Sequence, residues 1–330
     1  MKNIIVTGSY GKSSAVCLLE KLAKTATSAF TIYKYRIADL QEVQVHPDIV
    51  LITNVSSYPL QGVKSYKEYI EKIDALLQQQ TEENLLILNA DYTFLLPMLK
   101  HAAGVKQEIF HIHGSATGCT VYDKEHDALS ICDSEGKMRP VIAMNRLKLP
   151  GLRNHEVYFA AAAAMKGFVN ISLMETVLAD FRGAPHHFEY VGQWKNGSIF
   201  NNAHSFVPSS AVYSLMPFYQ RIIFITGGKL SDYPYHGLGL INAAYVKELI
   251  LIGESADAIE ASTKAANCYE PDRIHIYKVK YLKEAVQLAL NVMQEGDIVM
   301  FAPSTPLEDY DNYLECGQDY KTYMRELGVK

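Results

Sequence analysis

Short apolar runs of strand length alternate with stretches of helical periodicity along almost the whole chain. The runs rich in β-branched residues fall at 3–6, 49–53, 85–88, 221–226, 249–252, 273–277 and 297–302. Amphipathic patterns lie between them at 12–25, 65–79, 155–167, 172–180, 255–266 and 282–293. This alternation predicts an α/β fold, with mostly parallel sheets carrying helices on both faces. Residues 118–144 depart from it and predict a β-hairpin with its turn at 133–136. The segment FRGAPHH (181–187) holds Gly and Pro, follows a helical pattern and precedes a new strand at 189–194. A domain break is expected there, giving an ATPase-like unit over 1–184 and a smaller α/β unit over 185–330.

Composition narrows the setting. The 330 residues suffice for two domains, and 48% hydrophobic with 20% charged residues is ordinary for a globular chain. A net charge of −5 argues against a nucleic-acid partner. No apolar run reaches the roughly 20 residues that span a bilayer, and the N-terminus reads as a strand, not a leader. The five scattered cysteines fit reduced thiols. A cytoplasmic location, with no membrane and no nucleic acid, is the expectation.

The chemistry begins at TGSYGKSS (7–14), which follows the first strand and opens the first helix. Gly8 and Gly11 let the backbone N–H groups of Gly8, Ser9, Tyr10, Gly11, Lys12, Ser13 and Ser14 face a phosphate chain at a helix N-terminus. Lys12 can reach the outer phosphates, and the Ser13 hydroxyl can ligate Mg²⁺. With the cradle starting at residue 7, the expectation is that no domain precedes it. In ITNVSSYP (52–59), Asn54 ends an apolar strand and suits either a phosphate or Mg²⁺ contact or a strand-end cap. In LPGLRN (149–154), Gly151 fits a tight turn and Asn154 an N-cap. His186, His187 and His204 suit surface or phosphate contacts better than a metal site, because the first two are adjacent. Lys229 in ITGGKLSDY (225–233) marks a possible second anion site. Ser304 and Tyr310 lie in a Pro/Ser/Thr-rich loop leading into a C-terminal helix.

Taken in order, these segments resemble the Mur ligase family over nearly the whole chain. TGSYGKSS resembles its TGxNGK pattern, and ITNVSS the strand carrying its Asn. LNAD (88–91) resembles its NxDD, LPGLRN its LxGxHN, and FRGAPHHFEYVG its FxGxxHRxExV. FNNAHSFVPSSA resembles its NDSKATNPxA, and TGGK and the FAPSTPLEDYDNYLECG tail complete the series. The resemblance implies a P-loop ATPase-like central Mur ligase domain followed by a Rossmann-like C-terminal one. It implies ATP and Mg²⁺, with a carboxylate phosphorylated to an acyl phosphate and then attacked by an amino acid's amine, in cell-wall precursor or related peptide synthesis. Lys12, Asn54 and His204 would be catalytic, and Lys12 and Ser13 would neutralise the γ-phosphate. Asn154 and His187 would lie near the nucleotide, Asn202 near its ribose and His204 near the γ-phosphate, while Lys229, Ser304 and Tyr310 would face the amino acid.

The chain departs from the pattern at several charged positions. The family's N-terminal UDP-binding domain is not in the sequence, so either the substrate would be other than the usual UDP-linked one or a partner chain would supply that domain. Residues 33–39 hold no Glu where the family has a Mg²⁺ ligand, and Tyr58-Pro59 replaces its Asp-His. Ile70, flanked by Lys67 and Lys72, stands at its carbamylated lysine. His187 replaces Arg, Asn202 and His204 replace the Asp and Lys of NDSK, and Cys316 replaces Arg. Two readings follow: an ATP-dependent acid–amino acid ligase, or a weakened homologue that keeps ATP or ADP and serves as a partner subunit.

Overall fold

The computed structural model describes residues 1–330 except 56–62, 64, 101, 103, 114–119, 133, 134 and 136. Tyr58-Pro59, Cys119 and most of the turn expected at 133–136 therefore lie outside the described residues. The chain divides into two compact units, Met1–Phe181 and Arg182–Lys330.

The first unit runs β1 (Lys2–Thr7), α1 (Lys12–Ala23), β2 (Phe30–Lys34), β3 (Ile49–Ile52), α2 (Tyr66–Leu77), β4 (Leu85–Asn89), β5 (Lys106–His111), β6 (Thr120–Asp123), β7 (Ala128–Cys132), β8 (Met138–Ala143), α3 (Leu152–Met165) and α4 (Ile171–Asp180). Its eight-stranded sheet has the order β2-β1-β3-β4-β5-β6-β7-β8. Pairing is parallel from β2 to β6 and antiparallel through β7 and β8. The central strands read as continuous apolar runs because both faces are covered: Ile4, Ile5 and Val6 are all fully buried. On one face Ile5, Val50, Ile52, Leu86 and Leu88 pack with Tyr69, Ile73 and Leu76 of α2. Helix α3, buried from Glu156 to Met165, packs against α1, β4 and β5, and its alanine run lets the backbone approach the sheet closely. Ser65 caps α2 by accepting from the Glu68 N–H (3.2 Å).

The second unit runs β9 (Glu189–Trp194), β10 (Gly197–Asn201), α5 (Pro208–Leu215), β11 (Ile222–Gly227), α6 (His236–Tyr245), β12 (Val246–Ile252), α7 (Ala256–Lys264), β13 (His275–Val279), α8 (Leu282–Val292), β14 (Ile298–Phe301) and α9 (Tyr313–Glu326). Its six-stranded sheet has the order β13-β12-β11-β14-β10-β9, parallel except for the antiparallel edge strand β9. One face packs Ile223, Ile225, Ile250, Val299 and Phe301 against α8 and α9 through Val286, Ala289, Tyr320 and Met324. Phe301 stacks on Tyr320 with ring centroids 4.7 Å apart.

Several expectations are corrected. The region read as one hairpin is a three-stranded meander, with a second tight turn at 124–127 between β6 and β7. Strands β2 and β5 and helices α5 and α6 carried no clear pattern. The first is a half-buried strand ending in Lys34, β5 begins on the polar KQE, α5 is rich in Ser, and α6 holds two glycines that weaken helix propensity. Helix α3 starts at Leu152 with Gly151 (φ 88°) at its N-cap, so Asn154 sits inside the first turn. No helix among the described residues is long and apolar enough to cross a membrane.

Truncating the centre of the second core tests this packing. Phe301→Ala is expected to lower the unfolding free energy of that unit by about 3–5 kcal/mol, measured by urea denaturation.

Candidate functional site

Parallel strands bring their C-terminal ends to one edge, and in open α/β sheets ligands bind there. In the first unit, β1, β3 and β4 are neighbours, so the 7–14 loop, Asn54 and Asn89–Asp91 share that edge. The loop's glycines are demanded by the fold. Gly8 has φ 139°, and a Cβ there would lie 2.3 Å from Thr53 Oγ1 and 2.8 Å from the Asn54 carbonyl oxygen. Gly11 has φ 73° and caps α1.

Asn54 is 1% exposed and binds protein on every side. Its carbonyl accepts from Ser9 N (3.0 Å) and its Oδ1 from Tyr10 N (2.8 Å). Its Nδ2 donates to the Tyr10 carbonyl (3.2 Å) and to Glu156 Oε2 (3.0 Å). Ser9 Oγ hydrogen-bonds Tyr69 Oη, and Arg153 lies over the Tyr10 ring, 4.3 Å from its centroid. Asn89 donates to the Thr53 carbonyl, and Asp91 accepts from Ile112 N and His113 N.

Lys12 donates to the carbonyls of Gly8 (2.7 Å) and Ser9 (3.3 Å). Burial, followed by the nearby charges of Lys34 and Arg36, pulls its pKa down to about 8. Ser13 Oγ accepts a hydrogen bond from Lys34 Nζ at 3.2 Å. No group of three or more His, Cys, Asp or Glu side chains able to hold a metal is found among the described residues. An ammonium on its one hydroxyl ligand makes this donor set unfit for a divalent cation and suited to an anion.

Glu156 went unnoticed in the sequence because it lies inside a helix pattern between LPGLRN and the alanine run. Only 7% exposed, it accepts from Tyr92 Oη (2.9 Å) as well as Asn54, and burial pushes its pKa up to about 7. Asn154, on the same helix, spends its amide on the Pro150 carbonyl (2.7 Å). Lys67 and Lys72 pair with Glu71 (3.6 Å) and Glu68 (3.8 Å), and Lys72 also donates to the Ala38 carbonyl (3.1 Å).

In the second unit the corresponding edge gathers the ends of β11, β14 and β10. His187 and His204 stack with centroids 4.0 Å apart, and the Tyr313 ring meets His204 edge-on at 4.8 Å. His186 (φ 63°) is buried behind them, with Nδ1 3.0 Å from Asn201 Nδ2. Burial and then Lys321 push the His186 pKa below its ordinary value, which favours the neutral ring. Lys321 pairs with Glu189 (3.0 Å), whose other oxygen accepts from His186 N (2.9 Å). A Cβ at Gly317 would lie 2.3 Å from His186 Nδ1, so the tail glycine is required. Asn202 donates to Ser214 Oγ (2.7 Å) and accepts from Phe188 N (3.1 Å). Exposed Lys229 and buried Ser304 meet through Gly227 and Thr305: Ser304 N donates to the Gly227 carbonyl (3.1 Å) and Thr305 Oγ1 to the Lys229 carbonyl (2.7 Å). Tyr310 stands apart, its hydroxyl on Asp319 (3.2 Å).

No family model matches the chain. It is 28% identical over 314 residues to the UDP-N-acetylmuramoylalanine–D-glutamate ligase of Ruminiclostridium cellulolyticum, covering 94% of this chain and 66% of the relative. It is 28% identical over 324 residues to the ligase of the same name from Symbiobacterium thermophilum, covering 98% of this chain and 69% of that one. The chain is a relative of the Mur ligases. It thus spans about two thirds of the length of these relatives. Two solved structures share the fold: MurC of Thermotoga maritima (TM-score 0.67, 13% identity, 99% of this chain and 76% of that one) and MurF of Acinetobacter baumannii (TM-score 0.68, 14% identity, 98% and 77%). In this Mur ligase relative, the cradle residues, Asn54 and Glu156 form one cluster in the first unit. His187, His204 and Asn202 form a second in the other unit, with Lys229 and Ser304 a third on the same sheet edge.

Glu156 makes stability depend on pH. The folded chain holds this proton up to about 7, against an ordinary value of 4.5. The stabilising contribution is complete below the lower value and lost as pH rises through the upper. Glu156→Gln removes the titration, so its stability relative to wild type should rise by on the order of 2–3 kcal/mol between pH 4.5 and 8. Urea unfolding across that range measures it, and a flat difference would count against the buried proton.

Proposed function

We propose that the chain is an ATP-dependent ligase that joins a carboxylate to an amino acid's amine, in cell-wall precursor or related peptide synthesis. The observation that carries this reading is the cradle, with Lys12 held over a glycine-shaped loop at a helix N-terminus. Likeness to D-glutamate-adding ligases along nearly the whole chain supports it. In the reaction, a substrate carboxylate oxygen attacks the γ-phosphorus and ADP leaves. The amine then attacks the acyl carbon, phosphate leaves, and the amine's proton passes to solvent. Backbone N–H groups of the loop and the Lys12 ammonium would meet the charge of the transferring phosphoryl group. The His187–His204 pair would contact nucleotide or phosphate, and exposed Lys229 would meet the amino acid's carboxylate. The magnesium that the family resemblance implies has Ser13 as its named ligand, and with Lys34 on that hydroxyl no step is assigned to the metal.

A second reading is a nucleotide-binding partner subunit that does not turn over. Neutral Asn202 and the two histidines at positions where the family is charged favour it.

Release of ADP that depends on an added carboxylate and amino acid separates the two. A ligase gives such release for some pair of substrates. A binding subunit gives none, yet its melting temperature rises with ATP. Lys12→Ala should abolish that rise, and an unchanged response would remove the cradle assignment.

A further inference from the structure

Strand β2 pairs with β1 in parallel, with Val6 opposite Lys34, so Lys34 leaves its strand beside the start of the cradle. Its ammonium lies 3.2 Å from Ser13 Oγ, the second residue of α1. Arg36 follows two residues later. The charges of both Lys34 and Arg36 are felt at Lys12. Two ammonium groups, those of Lys12 and Lys34, thus stand at one helix N-terminus.

Among the described residues, three acidic groups of this unit are committed elsewhere. Asp39 is bound twice by Arg36 (2.5 and 2.8 Å), Glu156 by Asn54 and Tyr92, and Asp91 by two backbone N–H groups. The stretch 56–64 contains no Asp, Glu or His. In P-loops generally, a lysine and a divalent cation share the β- and γ-phosphate charge, with the Ser or Thr after the lysine on the metal. Here a second lysine occupies that hydroxyl. Two like charges cannot both sit within hydrogen-bonding distance of one oxygen without strong repulsion.

We propose that Lys34 is a second polyphosphate-binding lysine, and that Lys12 and Lys34 together supply the charge a divalent cation would bring, so that the cradle takes a nucleoside triphosphate as the metal-free anion. This rests on the nucleotide reading above. The Lys34 ammonium carries three N–H donors on a flexible, exposed stem, so it can keep its bond to Ser13 Oγ while a second N–H meets a phosphate oxygen and the Ser13 hydroxyl donates to the same chain.

Calorimetric titration of the full chain with ATP, in EDTA and in excess Mg²⁺, tests it. Wild type is expected to bind in EDTA at least as tightly as in Mg²⁺. Lys34→Ala should weaken binding in EDTA by roughly ten- to thirtyfold, the usual loss for a charge-assisted hydrogen bond to phosphate. Lys34→Arg should restore most of it, and Lys34→Glu should bind only when Mg²⁺ is present. Because Lys34 is exposed, these variants should melt as wild type does, checked by circular dichroism. Binding that requires Mg²⁺ in wild type, or that Lys34→Ala leaves unchanged in EDTA, overturns the role of Lys34 while leaving the cradle in place. Absence of ATP binding in both buffers overturns the nucleotide reading itself.

Discussion

The loop between β1 and α1 is fixed in space through the carboxamide of Asn54, which touches both the N–H and the C=O of Tyr10. A side-chain amide used this way imitates a strand partner and extends the sheet's hydrogen bonding one step past its end. The loop cannot bulge outward without breaking those bonds, nor sink inward, because Gly8 already lies against the Thr53 side chain. Its donors are therefore aimed before any ligand arrives, which lowers the ordering cost of binding. Glu156 and Tyr92 hold the Asn54 amide from behind, so the cradle's shape is tied to helix α3 and not to the local glycines alone.

The second unit builds its edge differently. The stacked imidazoles and Tyr313 stand in front of a buried polar network of His186, Asn201, Glu189 and Lys321. Every charged member is paired or hydrogen-bonded, as burial requires. That network fixes the backbone on both sides of His187, with His186 and Phe188 in the left-handed region. Rings at positions 187 and 204 can stack and hydrogen-bond, but neither carries the permanent charge of an arginine or lysine.

Much of this was legible in the chain. Uniform apolar runs such as Ile222–Gly227 announce a strand buried on both faces, and strand–glycine–lysine–helix order announces the cradle. Strand β2 was not, because its side chains are half-buried and carry no uniform pattern. That omission also hid Lys34, whose place beside Ser13 follows from β2 pairing with β1 and not from any motif. Glu156 was hidden for a related reason: inside a helix pattern a glutamate reads as a surface residue, and only the packing of α3 reveals that it is enclosed. Asn154 read as a cap because Asn favours that position, but the positive φ of Gly151 starts the helix earlier.

An ammonium whose pKa lies near 8 is a variable charge. At that pH about half of the molecules carry a neutral Lys12. An anion settling against it stabilises the charged form and so draws a hydrogen ion from the solvent onto the nitrogen. Entry of a polyphosphate into this loop would thereby consume acid, and the grip of the loop would slacken in alkali as Lys12 loses its charge. The burial that keeps Lys12 in place over its loop also couples the occupancy of the site to the acidity around it.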